Sequence, residues 1–366
     1  MKFHFKTSYE QDIRIFEDRA KAGWYGLLAL LAAAAPYLLD EYMLGELTLM
    51  LIWALAGLGL MLLAGHTGQP SLGHAAFLAC GAYMEVWLAE RGVPFPISFP
   101  LAGLFAGVVG ALIAVPALKM SGIYLAIATL AVGIITEDVI ILLEDFTGGI
   151  GGVYAPSITL LGTDIDRYAD GGRPFYWLCL AALIAVNLIY LNILRSPTGR
   201  AFVAIRDSEV SARAMGVNVA RYKTLAFGLS CFFTGLAGAL LAHFLGAFNY
   251  EAFLVLISVQ MLLMVTIGGL GSIHGAYLGA IVVVFLPQAI VRLREQVAEL
   301  MGAGNASIPG LDTGVFALVL IAFILIEPTG LYGRWLKIRT FFELFPLYRK
   351  DMFKRHKSFL KTERMK

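Results

Sequence analysis

RSPTGRAFVAIRDSEVSARAMGVNVARYK, residues 195–223, is the stretch whose reading decides the fold. It gathers six Lys/Arg in a chain that is 59% hydrophobic and only 15% charged. Long apolar segments flank it on both sides, so it reads as an aqueous loop between membrane helices. Its Ala, Arg, Glu and Met residues favour a short helix, and Gly216 is placed to stop one. A small amphipathic helix in such a loop is what a membrane subunit presents to a soluble partner. A solvated basic loop that only fixes topology is the other reading of the same spacing.

Working outward, the mean hydropathy is +0.76 over 366 residues. A soluble domain carries about 25% charged residues, and no single-core soluble fold of this length hides so much apolar surface. The expected fold is an all-α polytopic membrane protein. About ten segments are long enough, or nearly so, to span the hydrocarbon: 24–39, 47–65, 71–90, 97–118, 120–143, 175–194, 223–246, 254–270, 275–291 and 313–331. The first, eighth and ninth are short for a core about 30 Å thick, which suggests tilted, re-entrant or broken helices. Gly103-xxx-Gly107 and Gly275-xxx-Gly279 are candidate seams for close helix contact. Cys80, Cys179 and Cys231 lie in apolar runs without metal-ligand spacing and read as small core residues. Charges of both signs run through Lys21 with no small-residue cleavage site, so a cleaved signal peptide is not expected.

Charge sets the orientation. With both termini cytoplasmic, 23 of the 28 Lys/Arg fall inside: those before residue 24, Lys119, the island and the tail after residue 331. Only Arg91, Arg167, Arg173, Arg292 and Arg294 fall outside, which supports this topology. The chain divides into a cytoplasmic segment 1–23, a transmembrane domain 24–331 holding the loop 195–223, and a basic tail 332–366. Alternating aromatic and basic residues in that tail fit contact with an anionic lipid leaflet rather than nucleic acid.

Gly65-His66-Thr67-Gly68-Gln69-Pro70-Ser71-Leu72-Gly73-His74-Ala75-Ala76-Phe77 places hydroxyl, amide and imidazole groups among glycines at the start of a span. Broken backbone at membrane depth is tolerated only where protein buries it or it lines a water-filled path. Gly68, Gln69, Ser71, Gly73 and His74 are therefore candidate pathway residues. A helix opening at Ser71 would offer unpaired N–H groups to an anionic solute; an ordinary turn with a Ser cap is the alternative. Thr147, Gly148 and Gly149 open an outer loop whose backbone could approach a ligand or partner, or be a plain loop. Glu137, Asp138 and Glu85 fall inside spans and are functional candidates, Glu137 as a pathway residue. No span supplies a matching Lys or Arg, so their partners must be polar groups such as Thr136, backbone or water. His243, Asn249, Gln260 and His274 lie near span ends and read as interface residues.

The island, from Ser196-Pro197-Thr198-Gly199-Arg200-Ala201 through Ala212-Arg213-Ala214-Met215-Gly216-Val217, resembles the cytoplasmic loop of permeases of branched-chain amino acid ABC importers, in particular the LivM-type subunit. Gly68-Gln69-x-Ser71-Leu72-Gly73-His74-Ala75-Ala76-Phe77 and Gly81-Ala82-Tyr83 resemble the same family. So do Tyr124-Leu125-Ala126-Ile127-Ala128-Thr129-Leu130, Thr147-Gly148-Gly149, Gly268-Gly269-Leu270-Gly271-Ser272-Ile273-x-Gly275-Ala276 and Glu327-Pro328-x-Gly330-Leu331. The resemblance runs from about residue 45 to 335. Three departures stand out: Pro70, Ile134 where the family often has an acid, and a longer tail beyond Trp335.

The resemblance implies a second, related permease of LivH type, two cytoplasmic ATPase subunits, and a periplasmic or extracellular solute-binding protein. It implies a bacterial or archaeal cytoplasmic membrane and inward transport by alternating access. Nothing in the chain reads GxxxxGK[ST], so it is expected to be a transport subunit and not an enzyme. It would bind no cofactor itself, ATP and Mg belonging to the ATPases. Arg200, Arg206, Asp207, Glu209, Ala212 and Gly216 would lie at the ATPase interface. Branched-chain amino acids are the expected solutes, with urea, short amides or aromatic acids as alternatives. Outside this class stand an ion-coupled carrier using Glu137 or Glu85 and a solute channel.

Overall fold

The computed structural model describes residues 19–117, 120, 122–160, 163–167, 169–300, 311–327 and 329–344. The segment before residue 19, Lys119, Pro328 and the tail beyond residue 344 lie outside them. All ten apolar segments fall in helices: α1 Arg19–Leu38, α2 Glu41–Leu60, α3 His74–Glu90, α4 Phe95–Ala117, α5 Ile123–Leu142, then the short turn α6 Glu144–Thr147 and α7 Arg173–Arg195. The island folds into α8 Pro197–Asp207 and α9 Glu209–Ala214. After it come α10 Val219–Leu245, α11 Val255–Gly268, α12 Ile273–Leu300, α13 Leu311–Ile326 and α14 Gly330–Leu344. The chain is an all-helical, multi-pass membrane protein apart from two small ribbons.

Among the described residues, seven helices are long and apolar enough to cross a membrane. The short ones differ in part from those expected. Residues 250–268 and 273–296 are full-length spans, because a preceding turn at Tyr250–Phe253 and a polar C-terminal extension lengthen α11 and α12. The short helices are α1, α3 (17 residues) and α13. Helix α3 opens at His74 rather than Ser71, since residues 71–73 are held against α5 instead of coiling.

Helix α10 is the centre, 78% of its apolar window being buried, with α2 next at 72%. Glycines bring its neighbours to backbone contact: a Cβ on Gly81 would stand 2.0 Å from the Gly235 carbonyl, and one on Gly238 2.0 Å from that of Leu78. Both expected glycine seams hold. Gly103 meets Leu236 on α10, and a Cβ on Gly279 would stand 2.0 Å from the Met264 carbonyl, fixing α12 on α11. At the bundle end away from the island, β1 Val153–Tyr154 pairs antiparallel with β4 Ala247–Phe248, and β2 Ile158–Leu160 with β3 Thr163–Ile165.

Candidate functional site

The island is a helix pair built by its own caps. Ser196 caps α8 by accepting the Gly199 N–H, with Pro197 at the first helical position, and Ser208 caps α9 by accepting that of Ser211. Gly216 ends α9 at φ 84°, where a side chain is strained even though the space around it is open. Ile205 and Ala212 of the pair form a small core with Val219 at the start of α10. Ala212 is therefore interior, shaping the pair rather than presenting a surface to a partner.

Two charged residues expected at a partner surface are tied back to the chain while staying partly exposed. The Glu209 carboxylate lies 2.5 Å from Lys223 Nζ, a buried lysine at the start of α10. Arg206 donates from Nη1 to the Gly65 carbonyl at 3.2 Å, and its Nε and Nη2 donate to Asp207 Oδ1. What the pair shows outward is Val210 and Met215, 81% and 84% exposed, together with Arg200 and Arg213. Reasoning from charge overlooked these apolar residues, and the local sequence does not set them apart from Phe202, Val203 and Ile205 in the same loop.

Beneath the pair, three glycine-rich segments converge. Helix α2 runs into a wide π turn at Met61–His66 and stops. There a Cβ on Gly65 would lie 2.7 Å from the Gly271 nitrogen, and one on Gly68 would lie 3.1 Å from Arg206 Cγ. Gly330 packs on Gly269 in the same way. Tyr25 hydrogen-bonds His274 at 2.7 Å, and the His274 ring stacks on Tyr332, so His274, though exposed, is held by contacts within the chain. Glu327 accepts from Thr329, Arg334 and Lys337. The Lys337 ammonium foremost, with Thr329 and Arg334, holds its carboxyl below the usual carboxylate range.

Residues 67–74 are a polar lock. Ser230 on α10 donates to the Gly59 carbonyl at 2.6 Å, so its oxygen can only accept from His74 Nε2, 2.7 Å away. That count assigns the neutral Nε2–H tautomer and leaves Nδ1 to accept from Ser71, at 2.8 Å. Ser71, His74 and Ser230 are all fully buried. Leu72 N–H goes to Thr129 on α5, and Ala75 N–H to Ser258 on α11. Gln69 N–H reaches back to the Leu63 carbonyl, and a Cβ on Gly73 would collide with the Thr129 carbonyl at 2.1 Å. The expectation of unpaired N–H groups for an anionic solute is thus corrected for two of them: the hydroxyls of Thr129 and Ser258, whose role sequence reasoning missed, take the N–H groups of Leu72 and Ala75. A lone hydroxyl in an apolar helix was the available signal.

The intramembrane acids have separate fates. Glu137 Oε1 accepts the N–H of Val255 at 2.7 Å, capping the first turn of α11. Thr136, the partner expected for it, donates instead to the Val132 carbonyl. Asp138 is exposed on the outer face of α5. Glu85 is fully buried: its Oε1 accepts from Ser98 at 2.6 Å and lies 3.4 Å from His243 Nε2, while Oε2 has no protein partner. His243 is thus a core residue rather than an interface one. Gly148 and Gly149, both at positive φ, follow a Thr147 hydroxyl held by the Ile140 and Leu143 carbonyls. A Cβ on Gly152 would lie 2.4 Å from the Phe248 carbonyl, so this loop approaches its own chain closely. Among the described residues no group of three or more His, Cys, Asp or Glu is placed to hold a metal.

Residues 42–326 match the family described as branched-chain amino acid transport system / permease component. The chain is 34% identical over 278 residues to the high-affinity branched-chain amino acid transport system permease protein LivM of Escherichia coli (strain K12), covering 70% of this chain and 65% of the relative. It is 28% identical to the probable branched-chain amino acid transport permease protein LivM of Methanocaldococcus jannaschii, over 63% of this chain and 66% of the relative. To the probable LivH permease of the same organism it is 25% identical over 78% of this chain and 90% of the relative. The chain thus spans just under two thirds of the length of the LivM relatives it matches. No solved structure matches it.

Proposed function

The chain belongs to the family of branched-chain amino acid transport system permease components, and from that membership we propose that it is the LivM-type membrane subunit of an ATP-driven importer. In this reading the α8–α9 pair lies on the cytoplasmic side and docks on an ATPase subunit. ATP and Mg are bound there and not on this chain. A LivH-type permease completes the membrane pair, and a solute-binding protein delivers solute on the far side. Closure of the ATPases tilts the bundle between outward- and inward-facing states. The solutes are leucine, isoleucine or valine, and the membrane is the cytoplasmic membrane of a bacterium or archaeon.

The observation that carries this is the outward display of Val210 and Met215 on a capped, internally packed helix pair. Apolar side chains held out into water beside Arg213 are the chemistry of a docking surface. A loop that only fixed topology would need neither the caps nor the small core. Glu137, committed to the Val255 N–H, fits a capping role better than that of an ion-coupling acid.

Reconstitution of this chain in liposomes with its partner permease, ATPases and binding protein tests the proposal. Leucine uptake should require ATP and all the subunits. Uptake driven by an ion gradient without ATP would make the chain a carrier, and uptake needing neither would make it a channel.

A further inference from the structure

We infer that Arg206 is a positioning residue that ties the α8–α9 pair to the broken end of α2 through the Gly65 carbonyl. This rests on the importer reading and adds to it a residue and a route. The last carbonyls of a helix have no partners within it. Helix α2 ends in the wide turn Met61–His66, and its Gly65 carbonyl receives Arg206 Nη1 at 3.2 Å. A cation there also suits the negative end of the helix dipole. The break is therefore completed by a side chain from outside the bundle.

Steric detail narrows the role. The Arg206 stem passes through a gap where a Cβ on Gly68 would come within 3.1 Å of Cγ, and one on Gly271 within 3.3 Å of Nη1. Those glycines belong to different parts of the bundle: Gly68 to the break after α2, Gly271 to the turn between α11 and α12. Asp207 Oδ1 holds Nε and Nη2 at 3.2 and 3.1 Å, so the guanidinium fork is fixed along one edge and aimed along the other. One side chain of an outward-facing helix pair thus touches both glycine-packed parts of the membrane domain. A shift of α8 against Gly65 by about 0.5 Å would take the bond beyond hydrogen-bond length. The pair and the break move together, or the Gly65 carbonyl loses its partner.

The test compares Arg206→Met, Arg206→Lys and Asp207→Asn in the full complex in liposomes, reading leucine moved per ATP hydrolysed and retention of the ATPases on purification. Arg206→Met should keep the ATPases, hold ATP hydrolysis within about twofold, and lower leucine per ATP about thirtyfold, the middle of the range for a coupling contact. Arg206→Lys, whose ammonium still reaches a carbonyl, should recover most of that ratio. Asp207→Asn, a change on a surface side chain, should lower it about fivefold, the bottom of the same range. A wild-type ratio in Arg206→Met overturns the inference. So does loss of ATPase retention with an unchanged ratio in the complexes that stay assembled, which would make Arg206 a docking residue. Should Arg206→Met fail to reach the membrane, an unchanged ratio in Asp207→Asn overturns it. A wild-type complex that moves no leucine on ATP overturns the importer reading, and this inference with it.

Discussion

Helix α3 carries two buried polar clusters, three turns apart, and they are built differently. At its first residue, His74 has both ring nitrogens engaged, Ser71 and Ser230 are used on both sides, and the chain of bonds ends on the Gly59 carbonyl. Toward its other end, Glu85 takes Ser98 and His243 on one oxygen and leaves the other buried without a protein partner. A saturated network specifies one arrangement, because any shift strands a buried donor or acceptor. An unsaturated one tolerates exchange of its chemistry. The His74 cluster therefore holds α2, α3 and α10 as one body, whereas the Glu85 cluster is a place where the bundle has polar capacity to spare, as it also has at the Tyr83 hydroxyl and Asn187 Oδ1.

Removing His74 should show the difference most strongly. His74→Ala leaves the Ser71 and Ser230 hydroxyls short of partners and opens a cavity, and should cost about 4 kcal/mol. Thermal unfolding of the purified protein in detergent measures this. Ser230→Ala, which frees the Gly59 carbonyl but leaves little cavity, should cost about 2 kcal/mol in the same assay. Glu85→Gln should cost less than about 1 kcal/mol, since the amide oxygen still accepts the Ser98 hydroxyl and no saturated network is broken. A loss at Glu85→Gln as large as that at His74→Ala would erase the distinction between the two clusters.

The smallest effect concerns a third cluster, at the junction of α13 and α14. The Glu327 carboxyl is held low by Lys337, with Thr329 and Arg334 assisting. A lowered carboxyl stabilises the fold above its unfolded value and loses that contribution as pH falls through the folded one. Acidification to below the ordinary carboxylate range should therefore loosen the α13–α14 junction in wild type and change nothing in Glu327→Gln. Proteolysis in α14 across a pH series reads this directly.

Much of this architecture is legible in the sequence, because apolar length and glycine spacing are local signals. The ten apolar segments, both glycine seams and the helix break before α3 all follow from composition along the chain. What does not follow is where polar side chains point. Arg206 and Glu209 read as surface charges, yet they find Gly65 and Lys223, and those pairings span 141 residues in one case. The start of α3 slides from Ser71 to His74 because the Leu72 N–H is taken by the Thr129 hydroxyl, far along the chain, and Gly73 packs against the Thr129 carbonyl where no Cβ would fit. Thr129, Ser230 and Ser258 are single hydroxyls in apolar helices, and only the packed bundle shows which backbone and ring atoms each one serves. Glycines that lie apart in sequence likewise meet only in the folded bundle: Gly65 packs on Gly271, Gly330 on Gly269, and Arg206 lies against Gly68 and Gly271.

On the proposed importer reading, the His74 lock stays rigid while the α8–α9 pair and the break it holds respond to the ATPases. Amide hydrogen exchange of the assembled complex, with and without bound nucleotide, tests it most directly. Amides of residues 71–76 and 228–234 should keep the same slow exchange in both states, while those of residues 65–68 and 205–217 should change together. Exchange that quickens across residues 71–76 with nucleotide, while residues 205–217 stay as they were, would contradict it.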